Sequence, residues 1–391
     1  MSSTTLAPIV ASKHTTEAAI LGIGTSVPPT SYTQQFAVDF LTRLSVFSDK
    51  ERRFLRRLYQ STAIDRRHTV IDDYGKDPSA YTFYAKNDQL LPEPGLEARN
   101  DVFIRESNRL SEQAARSLFS TLPLFDPHAI TDLITVTCTG FSAPGFDLHL
   151  VKALGLRRDI RRSHIAFMGC YAGFPAMRLA RDICVANPGA HVLIVAVELC
   201  TLHFQLKSQL DFMIANALFA DGAAAALVGP ASAGEHAHSE GAASGKGAKL
   251  LLDGFSSRII PESEEAMAWK IGAHAFDMRL SAYVPRLIEL NIRSIVEDLQ
   301  RSAGDPFGGI DIWAIHPGGR AILDRSAAAL EIPESSLVHS YEVLREFGNM
   351  SSATIFFVLR RILEDSKTGT VFATAFGPGL TVESGLFRKL S

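Results

Sequence analysis

A cysteine, a histidine and an asparagine stand on three turns of similar build. Cys170 lies in Ile165-Ala166-Phe167-Met168-Gly169-Cys170-Tyr171-Ala172-Gly173, His316 in Ile315-His316-Pro317-Gly318-Gly319, and Asn349 in Gly348-Asn349-Met350-Ser351-Ser352. A cysteine attacks only as the thiolate. Position at the start of a helix supplies partial positive charge and free N–H groups, and a neighbouring imidazolium lowers the thiol further. A carboxamide donates hydrogen bonds without a charge of its own. Beside an imidazole it can hold the oxygen of an enolate or a tetrahedral intermediate. These are the parts of a site that takes up an acyl group as a thioester and builds a carbon–carbon bond on it. Each residue alone has a plainer reading: an inert buried thiol, a structural histidine, a helix N-cap. Their placement on matched turns is what favours chemistry.

Short β-rich runs alternate with helical patterns, which predicts α/β layers. The clearest strands are 19–23, 133–137, 164–167, 191–197 and 223–228, followed by 250–254, 310–315, 370–374 and 381–387. Between the two sets, Pro230 to Ala248 is rich in Ala, Ser, Gly and His without hydrophobic periodicity, and reads as a surface connection. The halves resemble each other. Ile130-Thr131-Asp132-Leu133-Ile134-Thr135-Val136 parallels Gly309-Ile310-Asp311-Ile312-Trp313-Ala314-Ile315, and Cys138 precedes Cys170 by 32 residues where His316 precedes Asn349 by 33. An internal duplication follows, with residues 1–245 carrying the nucleophile and 246–391 carrying His316 and Asn349. Its two reactive turns should face one another across a central helix layer. After Cys170, the positions Gly173, Phe174, Met177, Ala180 and Cys184 make one apolar stripe, while Ile355, Phe356, Val358, Leu359, Ile362 and Leu363 wrap most of the later helix.

The chain has 391 residues, 46% of them hydrophobic, with net charge -3. Its pI is about 6.5. It can bury a large core, and nothing in the charge points to nucleic acid or an anionic membrane. Met1 to Ala19 lacks the cationic head and long apolar run of a secretory signal, and no segment approaches a membrane span. Cys138, Cys170, Cys184 and Cys200 lie in apolar surroundings at spacings of 32, 14 and 16, unlike zinc-site pairs. A cytoplasmic protein without disulfides is expected. The run Gly22-Ile23-Gly24-Thr25-Ser26-Val27 is not a dinucleotide fingerprint, because the third glycine is missing and Pro28-Pro29 blocks the helix it should open.

Five ordered motifs carry a family resemblance: Gly169 to Gly173, Leu218-Phe219-Ala220-Asp221-Gly222-Ala223-Ala224, His316 to Gly319, Gly348 to Ala353, and Phe376-Gly377-Pro378-Gly379-Leu380-Thr381-Val382-Glu383. From about Ala18 to Leu390 the sequence resembles a type III polyketide synthase, the chalcone-synthase-like branch of the thiolase superfamily. Val197-Glu198-Leu199-Cys200 is more similar to bacterial members. The resemblance implies a thiolase-like αβαβα fold, a homodimer, and repeated condensation on CoA esters without a carrier protein, metal, flavin or nicotinamide. Cys170 would take an acyl group from acyl-CoA. His316 and Asn349 would bind malonyl-CoA, promote its decarboxylation and stabilise the enolate, and the lengthened chain would finally cyclise.

The resemblance also places Phe219 and Phe276 as aromatic gatekeepers, and Cys138, Cys200, His203, Ala215, Ser351, Gly377 and Pro378 around the substrate cavity. Ala143 replaces a larger residue that plant members insert into the partner's cavity. Small Ala143 and Ala215 leave room for a long acyl chain, whereas His203 adds a polar group. Arg53, Arg56 and Arg57 share one face of a helix beginning near Asp49, where the family puts cations for CoA phosphates. A solvated helix face is the plain alternative.

The favoured product is an alkylpyrone or alkylresorcinol made from a fatty acyl-CoA. A phloroglucinol- or tetrahydroxynaphthalene-type product from malonyl-CoA alone stays open. Rival readings are a β-ketoacyl-ACP synthase III-like single condensation, a Cys-His-Asn protease and a catalytically silent partner subunit. The His316–Gly319 and Phe376–Glu383 motifs argue against the first. The missing cysteine-flanking signature argues against the second, and the intact trio against the third.

Overall fold

The computed structural model describes residues 17–231, 247–303 and 309–391. The connection expected at Pro230 to Ala248 lies mostly outside them; Pro230 itself closes a strand.

The first half opens with β1 (Ala18–Ser26), β2 (Ser31–Thr33), α1 (Gln34–Leu41), α2 (Asp49–Ser61) and β3 (Arg66–His68). The long α3 (Leu96–Thr121) leads to β4 (Asp132–Thr137), α4 (Phe146–Ala153) and β5 (Arg161–Ala166). Then come α5 (Gly173–Ala186), β6 (Val192–Leu199), α6 (Leu210–Leu218) and β7 (Asp221–Pro230). The second half begins with β8 (Lys249–Ile259), a hairpin of β9 (Met267–Ile271) and β10 (Phe276–Leu280), and α7 (Val284–Ala303). It continues through β11 (Ile312–Ile315), α8 (Arg320–Leu330), α9 (Val338–Phe347) and α10 (Thr354–Glu364) to β12 (Gly369–Gly377) and β13 (Thr381–Leu390).

All nine strands expected from the sequence join one sheet, in the order β11-β12-β13-β8-β1-β7-β6-β4-β5. The duplication is visible in its pairing. In the first half β1 is antiparallel to β7, β7 antiparallel to β6, and β6 parallel to β4. In the second, β8 is antiparallel to β13, β13 antiparallel to β12, and β12 parallel to β11. The halves touch through a short β1–β8 pairing at Ala19–Leu251 and Ile20–Leu250. One asymmetry remains: β5 has no counterpart strand, and the approach to Asn349 is the helix α9.

Three apolar clusters separate the layers. One joins both halves of the sheet to α5 and α10, a second lies under α3, and a third lies under α7 and α8. The helix α10 is buried nearly all round, with Phe356 1% exposed, as befits a central layer between two sheet halves. The run at Gly22–Val27 serves packing: a side chain at Gly24 would sit 2.0 Å from the Leu118 backbone nitrogen, so α3 meets β1 backbone to backbone. At α2 the start is set by a reciprocal cap, the Ser48 hydroxyl accepting from Glu51 N–H while the Glu51 carboxylate accepts from Ser48 N–H.

Because α10 is shared by both halves, Phe356→Ala should lower unfolding free energy by about 3–5 kcal/mol. Urea denaturation checks this, and a loss below about 1 kcal/mol would show that the layer repacks.

Candidate active site

Each reactive turn is fixed by backbone geometry before its side chain is considered. Gly169, ahead of Cys170, has φ +83°, and a side chain there would meet the Pro378 ring at 2.4 Å. Gly348, ahead of Asn349, has φ +71° and lies against Arg67 and the Leu218 carbonyl. Both positions therefore call for glycine. Asn349 is locked across the halves: its N–H donates to Leu218 O at 2.9 Å and its carbonyl accepts from Ala220 N–H at 2.8 Å. The Asn349 Oδ1 accepts from Ser351 N–H at 2.9 Å, and Nδ2 reaches Gly318 O at 3.4 Å, which leaves one amide hydrogen for a ligand. His316 follows β11 directly, its N–H donating to Thr374 O at 2.8 Å.

These residues meet. Cys170, His316 and Asn349 line one chamber, with Cys170 Sγ 4.0 Å from Asn349 Oδ1. Both ring nitrogens of His316 are buried without a hydrogen-bond partner among the described residues, so the imidazole on the chamber lining is uncommitted. The arrangement can take a carbonyl oxygen between the imidazole and the amide while its carbon faces the sulfur.

The electrostatics correct the sequence reading. The helix expected to begin at Cys170 begins at Gly173, with Ala172 as an unassisted cap. The sulfur thus sits three residues before the first helical turn. Burial pushes the thiol up to about 11, against smaller opposing pulls from Ser351 and Asn349, and drives His316 down to about 3. Desolvation penalises each charge on its own. A proton passing from Cys170 to His316 leaves the chamber's net charge unchanged and creates an attracting pair in a weakly screened site. The position of Cys170 ahead of the first helical turn does not by itself offset the burial penalty on its thiol.

Of the remaining expected residues, Phe219, Phe276, Cys138, Cys200, His203, Ala215, Ser351 and Pro378 also line the chamber. Gly377 does not; it backs the Cys170 turn, where a side chain would collide with the Tyr171 ring at 2.5 Å. His203 offers no polar group to a ligand, because its ring nitrogens bond to Thr139 O and to Phe276 N–H. Arg53, Arg56 and Arg57 are exposed and off the lining, although Leu58 and Ser61 of the same helix are on it. Arg56 is committed to Asp39 at 2.8 Å and to Thr42. Ala143 is exposed beside the cis Ala143–Pro144 bond and off the chamber lining.

Two residues escaped the sequence reading. Glu198 is fully buried and accepts from Cys138 N–H, Thr139 Oγ1 and Ser352 Oγ, with Cys138 Sγ 3.3 Å from both oxygens. Burial raises its carboxyl and these donors pull it back. Its signal was an acid inside a run that otherwise reads as a fully buried strand. Trp269, on β9, lines the chamber and donates its indole N–H to Cys138 O at 2.7 Å. Nothing local in the sequence marked it.

The description "Chalcone and stilbene synthases, N-terminal domain" matches residues 9–232, and its C-terminal counterpart matches residues 252–391. The chain belongs to the chalcone and stilbene synthase family, the type III polyketide synthases. It is 29% identical over 387 residues to the alpha-pyrone synthesis polyketide synthase-like Pks18 of Mycobacterium tuberculosis, covering 98% of this chain and 94% of that one. To bisdemethoxycurcumin synthase of Oryza sativa subsp. japonica it is 33% identical over 398 residues, covering 96% and 93%. The crystal structure of PKS-I from the brown alga Ectocarpus siliculosus superposes with a TM-score of 0.84 at 28% identity, covering 97% of this chain and all of that one. The fold of this family member is accordingly the thiolase-like layered one expected from its motifs. Among the described residues no helix is long and apolar enough to cross a membrane.

If His316 is what lets Cys170 ionise, removing it exposes the burial penalty. In His316→Gln, alkylation of Cys170 by iodoacetamide at pH 7 should slow by about tenfold or more, one pKa unit or more. Its pH midpoint should move to higher pH, because burial alone opposes the thiolate. An identical midpoint in both proteins would remove the imidazole from that role.

Proposed function

We propose that this type III polyketide synthase extends an apolar acyl-CoA with malonyl-CoA, using Cys170 as acyl carrier and His316 with Asn349 as the oxyanion and enolate site. The observation that carries the reading is the meeting of thiol, uncommitted imidazole and half-committed amide in one chamber. Transfer of the Cys170 proton to His316 produces the thiolate, which attacks the acyl-CoA carbonyl and expels CoA as its thiol. Malonyl-CoA then binds with its thioester oxygen between His316 and Asn349. Its carboxylate leaves as CO₂, and the freed electron pair passes to that oxygen. The enolate carbon attacks the acyl-cysteine carbonyl, the new C–C bond forms, and the C–S bond to Cys170 breaks. The resulting β-ketoacyl-CoA can reload for another cycle. An enol oxygen attacking the thioester carbonyl closes a pyrone and releases the thiol.

A fatty starter and an alkylpyrone or alkylresorcinol-type product fit the aromatic walls of Phe219 and Phe276 and the small Ala215. The M. tuberculosis relative, named for alpha-pyrone synthesis, points the same way. For CoA we place the entrance beside Ser61 and Arg320, both on the lining, with Arg53 and Arg57 as outer cations. No cofactor beyond the CoA esters is called for in this scheme. We further propose a cytoplasmic homodimer. Its support is the outer edge of β5, which among the described residues pairs only with β4, and the four free, buried cysteines.

Product mass spectrometry over a panel of acyl-CoA starters with malonyl-CoA alone tests the reading. Multiply extended pyrones or phenolics are expected; absolute dependence on an acyl carrier protein would contradict it. Asn349→Ala should cost about 10²–10³ in turnover, the usual price of one oxyanion donor. Cys170→Ala should make no polyketide yet keep measurable malonyl-CoA decarboxylation, since His316 and Asn349 remain; decarboxylation lost entirely would place that step on the sulfur.

A further inference from the structure

The corner where β12 passes into β13, residues 374–384, touches the turns of both Cys170 and His316. On the β12 side, Thr374 O accepts the His316 N–H at 2.8 Å. Past the end of that strand, the Pro378 ring lies against Gly169, where a side chain would meet it at 2.4 Å. Gly377 lies against the Tyr171 ring as closely, at 2.5 Å from any side chain it could carry. Gly169 and Tyr171 are the two neighbours of Cys170. One flank of the corner thus carries the imidazole's turn and the other abuts the sulfur's turn, so the placement of the corner determines how far apart they stand.

The bonds that place it are specific. Thr374 Oγ1 donates to Glu383 O at 3.0 Å and meets Ser384 Oγ at 2.9 Å, closing the two strands on each other. The Glu383 side chain then reaches out of the second half. It is 3% exposed, and its carboxylate accepts from Arg178 Nη1 of α5 at 2.8 Å. Among the described residues Arg178 is its only side-chain partner. A buried carboxylate is costly unless it is paired. Here the pair joins β13 to the helix that follows the Cys170 turn. The charge is also felt at that turn: burial pushes the Tyr171 phenol up, Thr381 pulls it back, and the Glu383 carboxylate adds to the rise.

We propose that Arg178 and Glu383 are positioning residues that pin the β12–β13 corner to α5 and thereby set the distance over which Cys170 passes its proton to His316. The inference rests on that proton transfer, the chemistry proposed for this site. Asn349 moves with His316 rather than with the sulfur, because its Nδ2 holds Gly318 O at 3.4 Å, two residues beyond the histidine. Loosening the pin therefore uncouples sulfur from imidazole and leaves His316 and Asn349 working together.

Two measurements on the full chain test this: the pH midpoint for alkylation of Cys170 by iodoacetamide, and decarboxylation of malonyl-CoA without a starter. Arg178→Met keeps the apolar stem and strands the carboxylate. It should raise the midpoint and slow alkylation at pH 7 by about tenfold, one pKa unit. Decarboxylation should stay at the level of the unaltered protein, whereas condensation should fall by up to about 10²-fold, the cost of a displacement of about 1 Å. Arg178→Lys, which keeps a cation within reach, should restore the midpoint. Glu383→Leu removes the buried charge and leaves Arg178, 37% exposed, to water. It should shift the midpoint the same way, and it carries the test should Arg178→Met fail to fold. In a His316→Gln background neither change should move the midpoint further, because both act through that imidazole. An unchanged midpoint in both variants, a shift that persists undiminished without His316, or decarboxylation lost in step with the shift overturns the positioning role. If His316→Gln alone leaves the midpoint where it was, the proton transfer fails and the proposal with it. A midpoint moved by His316→Gln but not by the pin variants rejects the pin alone.

Discussion

Two backbone hydrogen bonds, Asn349 N–H to Leu218 O and Ala220 N–H to Asn349 O, hold the chemistry of this protein together. They flank Phe219 and stitch the turn of the second half onto the end of α6 in the first. Cys170 belongs to one half, and His316 and Asn349 belong to the other. Neither half has a site without this register. Glycine at 348 lets the chain approach the Leu218 carbonyl, and Arg67, which donates to Asn216 O and Phe219 O from beneath, fixes the same segment. The duplicated sheet brings the turns near each other, and these bonds set them to within hydrogen-bond reach.

The chamber so formed is lined mostly by apolar and uncharged side chains. Burial opposes an isolated thiolate at Cys170 and an isolated imidazolium at His316, and it raises the Glu198 carboxyl a short distance below. A site of this kind weakens stray ionisation and strengthens any charge that forms beside prepared donors. That suits the reaction proposed above, in which charge would form first on sulfur and then on an enolate oxygen. The polar groups around Glu198 are bound to one another, so they shape the floor without competing with His316 or Asn349 for a ligand.

Much of this was legible in the sequence. The nine sheet strands showed as short apolar runs, and the duplication showed in the nearly equal intervals, 32 and 33 residues, from Cys138 to Cys170 and from His316 to Asn349. What was lost depends on distance in space. Position near a helix start implied a lowered thiol, but the depth of Cys170 could not be read from its neighbours, and depth wins. His203 looked like a polar addition to the cavity until its two nitrogens were found bonded to Thr139 and Phe276. Trp269 holds a carbonyl more than a hundred residues away, and no periodicity records such a bond. The arginines of α2 were correctly placed on one helical face, yet that face turns outward, and Arg56 is already spent on Asp39. The halves diverge where β5 is matched by α9, since a turn can be delivered by a strand or by a helix with equal effect.

The most direct measurement is peptide mass spectrometry of the unaltered protein after incubation with a fatty acyl-CoA and no malonyl-CoA. A thioester-linked acyl group on the peptide carrying Cys170, absent when His316 is replaced, is the expected result. An acyl group on Cys138 or Cys200 with Cys170 left free, or products formed while Cys170 never carries the acyl group, would contradict the account.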